Sequence, residues 1–183
     1  MTVREGDLRI AEAALFASAE PVGARALGHL LADDADADAV LAALRERYAG
    51  RGVEVVEVAG GWQLRTAPDL AAMLRRVVVQ PGRLPRAAME ALAVVAYHQP
   101  VTRAEIELVR GASLGQTALD ALLEAGLIAP CGRKETPGRP TLWGTTPAFL
   151  TRFGLRDLRD LPRREDLVVD APVPLPVEID LSR

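Results

Sequence analysis

The apolar positions change period along the chain, and each change marks an element. From Leu8 to about Ala19, Leu8, Ala11 and Leu15 recur at helical spacing in an alanine-rich segment that Pro21 ends. Leu27, Leu30 and Leu31 predict a second helix. Val40, Leu44 and Tyr48 predict a third, from about Asp36 to Ala49. The period then drops to two. Val53-Glu54-Val55-Val56-Glu57-Val58 and Trp62-Gln63-Leu64-Arg65-Thr66 alternate as strands, with Gly60-Gly61 as the tight turn between them. A further helix over Asp69 to Val79 leads into Gln80-Pro81-Gly82-Arg83-Leu84-Pro85, which reads as a linker.

The same order then returns. Met89, Leu92, Ala93, Ala96 and Tyr97 predict one face of a helix. Thr102-Arg103-Ala104-Glu105 is a capping box, with Val101 and Ile106 at the staple positions around it. Ser113-Leu114-Gly115-Gln116 has the spacing of a second box, ahead of a helix that turns Leu119, Leu122 and Leu123 inward. Gly126 suits the left-handed position after that helix, from which Leu127 folds back on Leu122. Ile128–Cys131, a polar loop over Gly132–Pro140, and Thr141-Leu142-Trp143 form a second hairpin pattern.

Three helices closed by a hairpin is the winged-helix pattern. The predicted fold is therefore α+β, mainly helical with small β hairpins. Two tandem winged-helix domains cover 1–82 and 83–163, and an extended tail covers 164–183, acidic and interrupted by Pro174 and Pro176. A faint repeat agrees: Glu12-Ala13 and Pro21-Val22 echo Glu90-Ala91 and Pro100-Val101.

Composition narrows the class. Hydrophobic residues make up 49% of the chain and aromatics only 4%, so a core is affordable and must be built from aliphatic side chains. The net charge of −3 is unevenly spread: residues 1–82 carry −3, residues 83–163 carry +3, and the tail carries −3. No segment is basic enough to announce a nucleic-acid binder. The single cysteine fits a reducing cytoplasm. No apolar run approaches the roughly 20 residues of a membrane helix, and the first residues lack a secretory-signal profile. The chain is expected in the cytoplasm, with no membrane partner.

Catalytic chemistry is not expected either. His29 and His98 have no second ligand at metal spacing. Cys131, in a predicted strand, reads as a small buried hydrophobe. The Gly132–Pro140 loop is no phosphate cradle, because Pro137 and Pro140 remove N–H donors. The expectation is a non-enzyme without metal or cofactor; a hydrolase or small-molecule sensor would need a convergent polar pocket that no motif supplies. DNA binding is the ordinary use of winged helices, so a transcriptional regulator is the rival reading. Against it, the third helix of the first unit opens on Asp33-Asp34-Ala35-Asp36-Ala37-Asp38. That of the second turns Gln116, Asp120, Ala121 and Glu124 outward. Both would meet phosphates with the wrong charge. The Arg133–Arg139 loop alone offers weak nonspecific contact at most.

Several segments together resemble a known family. They are Ala13-Ala14-Leu15-Phe16-Ala17-Ser18-Ala19-Glu20-Pro21, the run Ala93 to Ile106 followed by Val109-Arg110-Gly111, and Leu122-Leu123-Glu124-Ala125-Gly126-Leu127-Ile128. Gly132-Arg133-Lys134-Glu135-Thr136-Pro137-Gly138-Arg139-Pro140, Trp143-Gly144-Thr145-Thr146 and Phe153-Gly154-Leu155 complete the set. The chain is similar over Leu8 to Pro162 to the ScpB family of bacterial chromosome condensation and segregation. The resemblance implies a homodimer formed through the N-terminal domain and an adaptor that binds the ScpA kleisin. It also implies association, through the kleisin, with the nucleoid-bound SMC ATPase. The candidate partner-binding residues are Tyr97, Gln99, Arg103, Arg133, Lys134, Arg139 and Trp143, because packing and capping do not require them all.

Overall fold

A computed structural model describes residues 3–74 and 84–163. Its first part runs α1 (Glu5–Ala17), α2 (Ala24–Gly28), α3 (Ala37–Tyr48), β1 (Val53–Val58), β2 (Gly61–Thr66) and α4 (Pro68–Leu74). Its second runs α5 (Arg86–His98), β3 (Val101–Thr102), α6 (Arg103–Arg110), α7 (Gln116–Glu124), β4 (Ile128–Arg133), β5 (Thr141–Thr145) and α8 (Pro147–Phe153), then a 3₁₀ turn at Leu158–Asp160. The predicted end of the helix after β2, the linker as far as Arg83, and the tail lie outside the described residues.

Two separate sets of buried side chains correspond to the two runs. Leu8, Ala11, Leu15, Leu27, Leu31, Val40, Leu41, Leu44 and Val55 form one core. Leu92, Val95, Val101, Ile106, Leu114, Leu119, Leu122, Leu127, Ile128 and Phe149 anchor the other. Both are aliphatic but for Phe149, as the aromatic-poor composition requires.

In the first run α3 starts at Asp36, whose carboxylate accepts from the Asp38 amide and so satisfies one of the free N–H groups of the first turn. The second predicted helix is shorter than expected. It ends at Gly28, so Leu27 and Leu31 are buried while Leu30 points to solvent. The hairpin has the predicted strands, with Val58 opposite Gly61, but its central turn residues are Ala59 and Gly60. Their φ values are 51° and 73°, the positive pair a two-residue type I′ turn needs. Gly61 serves another purpose. A Cβ there would come within 3.0 Å of Pro21, and its absence lets Val22 exchange two backbone hydrogen bonds with Trp62, at 2.8 and 2.9 Å.

The second run departs from prediction in three places. The inward face of α5 is Ala88, Ala91, Leu92 and Val95, whereas Met89, Ala93 and Tyr97, expected inside, are exposed. Alanines on both sides of the helix gave its apolar stripe no unique phase, and close approach selects the face where Ala88 and Ala91 sit. The Ser113–Gln116 box does not form: α7 is capped by Gly115 without a side-chain bond. Ser113 instead precedes the helix, its carbonyl accepting from Arg110 at 3.1 Å. Cys131 is exposed, because β4 is irregular between Pro130 and Gly132 and the strand runs on to Arg133.

Other local signals act as predicted. The Thr102–Glu105 capping box is complete in both directions. Gly126, at φ 64°, donates to Leu123, and Leu127 donates to the Leu122 carbonyl at 3.0 Å; together these make the two-bond stop of a Schellman motif. The sheet order β3-β5-β4 puts β5 in the middle, with Val101 and Pro130 flanking Trp143.

Candidate functional site

The central strand β5 and the loop before it carry most of the candidate chemistry. Lys134 donates its amide to Pro140 at 2.9 Å and closes the base of the loop. At the tip, Arg139 donates to the Thr136 carbonyl at 2.8 Å across Pro137-Gly138. Proline then glycine at the two central positions, with Gly138 at φ 83°, is the type II turn pattern. The loop is thus held at both ends while its side chains stay outside.

Three cations project from this loop, and they are not equivalent. The Lys134 ammonium pairs with the Glu105 carboxylate, tying the loop to the first turn of α6. Together with the Thr102 amide and hydroxyl, this contact holds the Glu105 carboxyl down at about 2. Arg133 and Arg139 form no ion pair or hydrogen bond through their guanidiniums among the described residues, and both are exposed.

Trp143 lies half-buried beside the core, at the meeting point of two concavities. One, of about 620 Å³, is lined by Pro130, Gly132, Arg133, Glu135, Arg139, Thr141 and Trp143. The other, of about 430 Å³, lies between Thr141 and Trp143 and the helical residues Arg103, Ala104, Glu107 and Leu119. Sharing Thr141 and Trp143, they form one shallow groove with an aromatic floor and cationic rims. Thr141 and Leu119 were not among the predicted residues. The strand pattern does point to Thr141, which lies two residues from Trp143 and so shares its face. Leu119 could be placed only by the packing of α7.

The groove therefore gathers Arg103, Arg133, Arg139 and Trp143, with Lys134 bracing its rim. Arg103 is also engaged structurally: it reaches Glu107 at 3.3 Å, the Gln116 side chain at 3.1 Å and the Leu114 carbonyl. Tyr97 and Gln99 are placed elsewhere. The Tyr97 hydroxyl donates to the Pro162 carbonyl at 2.7 Å and holds the last described segment on α5. The Gln99 amide straddles Thr145, accepting from its backbone N–H at 2.7 Å and donating to its hydroxyl at 2.9 Å. Gly144 makes room for this bracket, because a Cβ there would lie 3.1 Å from Gln99 Oε1.

A second exposed feature lies on α1. Gly6, Ile10, Ala13 and Ala17 follow one another along its outer side beside Phe16, which is 83% exposed. The charge of the two third-helix positions is as the sequence indicated. Just before α3, Asp34 pairs with Arg4 and Asp36 caps the helix, while α7 carries no basic residue. No helix among the described residues is long and apolar enough to cross a membrane.

Comparison with known proteins gives a consistent result. The family described as segregation and condensation complex subunit ScpB matches residues 9–164. Segregation and condensation protein B of Symbiobacterium thermophilum is 45% identical over 177 residues, spanning 94% of this chain and 74% of that protein. That of Syntrophotalea carbinolica is 50% identical over 159 residues, spanning 84% and 79%. A crystal structure of a dimer of the ScpB N-terminal domain complexed with ScpA peptide is 28% identical. It covers 46% of this chain and 100% of that one, with a TM-score of 0.38. With a match across nearly all of the described residues and relatives of this identity along most of their own length, the chain belongs to the ScpB family of segregation and condensation complex subunits.

Proposed function

We propose that this chain is a non-catalytic adaptor of a bacterial SMC–kleisin complex, acting in the cytoplasm at the nucleoid. It forms a homodimer and holds a segment of the ScpA kleisin, through which it reaches the SMC ATPase. In this reading residues 1–82 and 83–163 are two winged-helix domains, and 164–183 is an extended tail.

The first domain supplies the dimer contact. The small residues on the outer side of α1 permit close helix approach, and Phe16 gains a buried site only in a partner. The second domain supplies the kleisin contact, along the groove beside Trp143. The observation that carries this assignment is the pair of uncommitted guanidiniums, Arg133 and Arg139, beside a half-buried indole. Tryptophan and arginine are over-represented among residues that dominate binding energy, and free cations on a rim steer an acidic partner and set its register. Tyr97 and Gln99 serve as scaffold, and Lys134 fixes the rim through Glu105. Family membership, the acidic start of α3 and the lack of any basic residue on α7 all oppose the regulator reading, which needs a reading helix that tolerates phosphates.

Size exclusion with light scattering tests the proposal on the full chain. The expected result is a dimer that co-elutes with the ScpA-like kleisin of the same genome and not with duplex DNA at physiological salt. A monomer, or retention of DNA in place of kleisin, would overturn it.

A further inference from the structure

The hairpin β1–β2 meets the end of α8 at several points. Ala59, in the hairpin turn, donates its amide to the Leu155 carbonyl at 2.9 Å. Arg65, on β2, donates to the Thr151 carbonyl in the last turn of α8. Beneath the guanidinium lies Gly154, at φ 72°, where a Cβ would stand 2.6 Å from Arg65 Nη1. Glu57, on β1, lies near enough to Arg156 to reinforce the cation that Asp160 primarily holds. Three residues of one hairpin thus converge on residues 151–156.

Arg65 makes the distinctive contact, because it forgoes a carboxylate within its own hairpin. The ladder places Glu54 directly opposite it on β1, and side chains on facing residues of a sheet are within pairing distance. Yet no Glu54–Arg65 ion pair exists among the described residues. The half-buried guanidinium turns to a backbone carbonyl instead, and burial lowers its pKa. A cation that gives up a carboxylate and part of its hydration for a carbonyl is stable only while that carbonyl is present. The Thr151 carbonyl also accepts from the Gly154 amide at 3.3 Å, so Arg65 adds a second, charged donor at the helix end. With α8 moved away, the same side chain would find Glu54 waiting.

We infer that Arg65 is a latch between two arrangements of the chain. In the docked one its guanidinium caps the end of α8; in the released one it pairs with Glu54 within its own hairpin. The inference stands on the contacts between hairpin and α8, independently of what the groove beside Trp143 binds. Its consequence is geometric: docking fixes the separation between the outer side of α1 and that groove.

The test is a distance distribution by pulsed electron paramagnetic resonance. One label sits on the native, exposed Cys131 and one on Glu46→Cys of α3, with excess unlabelled protein so that only distances within one chain are read. The parent should give one dominant narrow distance. Arg65→Ala should reduce that population several-fold, as the loss of a charged hydrogen bond implies, with an unchanged circular dichroism spectrum. Glu54→Gln, which removes the alternative partner, should retain or sharpen it. Should Arg65→Ala not fold, Arg65→Gln keeps the stem and is read in its place. A broad distribution in the parent, or an unchanged one in the folded Arg65 variant, would overturn the latch.

Discussion

Lys134 of the loop and Glu105 of α6 form an ion pair, and through it the capping box that starts a helix also braces the rim of the groove. One carboxylate does both tasks: one oxygen accepts from the Thr102 amide at 2.8 Å and the other from Lys134. This coupling has a pH signature. Glu105 is held at about 2 against an ordinary 4.5, so its contribution is full above 4.5 and is lost as pH falls toward 2. Lys134→Ala should move the Glu105 titration upward, since the ammonium is its largest cause. Carboxyl-resolved NMR titration reads this directly. Thr102→Ala, which removes the hydroxyl side of the box, should cost about 1 kcal/mol in chemical denaturation.

The orientation of α5 is checked by a pair of truncations. Leu92→Ala opens the second core and should cost about 2–5 kcal/mol, whereas Met89→Ala, on the solvent side, should stay within about 0.5 kcal/mol. Urea unfolding of the two variants distinguishes the observed face from one with Met89 inside.

Gln99 separates scaffold from contact surface. Its side chain satisfies the Thr145 amide from half-buried atoms, so Gln99→Ala should cost about 1–3 kcal/mol by leaving that N–H without a partner. Thermal unfolding of the variant should show this loss. A folded Gln99→Ala protein with unaltered stability and impaired kleisin capture would place the residue in the interface instead.

The residues explain how far the sequence could be read. Glycine and capping signals act over a few residues, so Thr102–Glu105 and Gly126-Leu127 were legible without a fold. Phase was not. In α5, alanine fits either face, and only the approach of the neighbouring helices decides between them. The short elements were also hidden. A two-residue β3 exists because β5 pairs with it, and a seven-residue α8 shows no periodicity, although Thr146 as cap, Pro147 and Gly154 mark both its ends. For the groove, the residue types were readable and their convergence was not. Arg103, Arg133, Arg139 and Trp143 come from three parts of the chain, while Tyr97 and Gln99, near them in sequence, face other neighbours.

The most direct measurement is kleisin affinity of the Arg133→Glu, Arg139→Glu double variant, alongside its melting temperature and mass. Both side chains are exposed and unpaired, so melting temperature and dimer mass should be nearly unchanged. Titration calorimetry should show affinity for the ScpA-like kleisin about tenfold weaker. A folded, dimeric double variant that binds the kleisin as tightly as the parent would contradict the account.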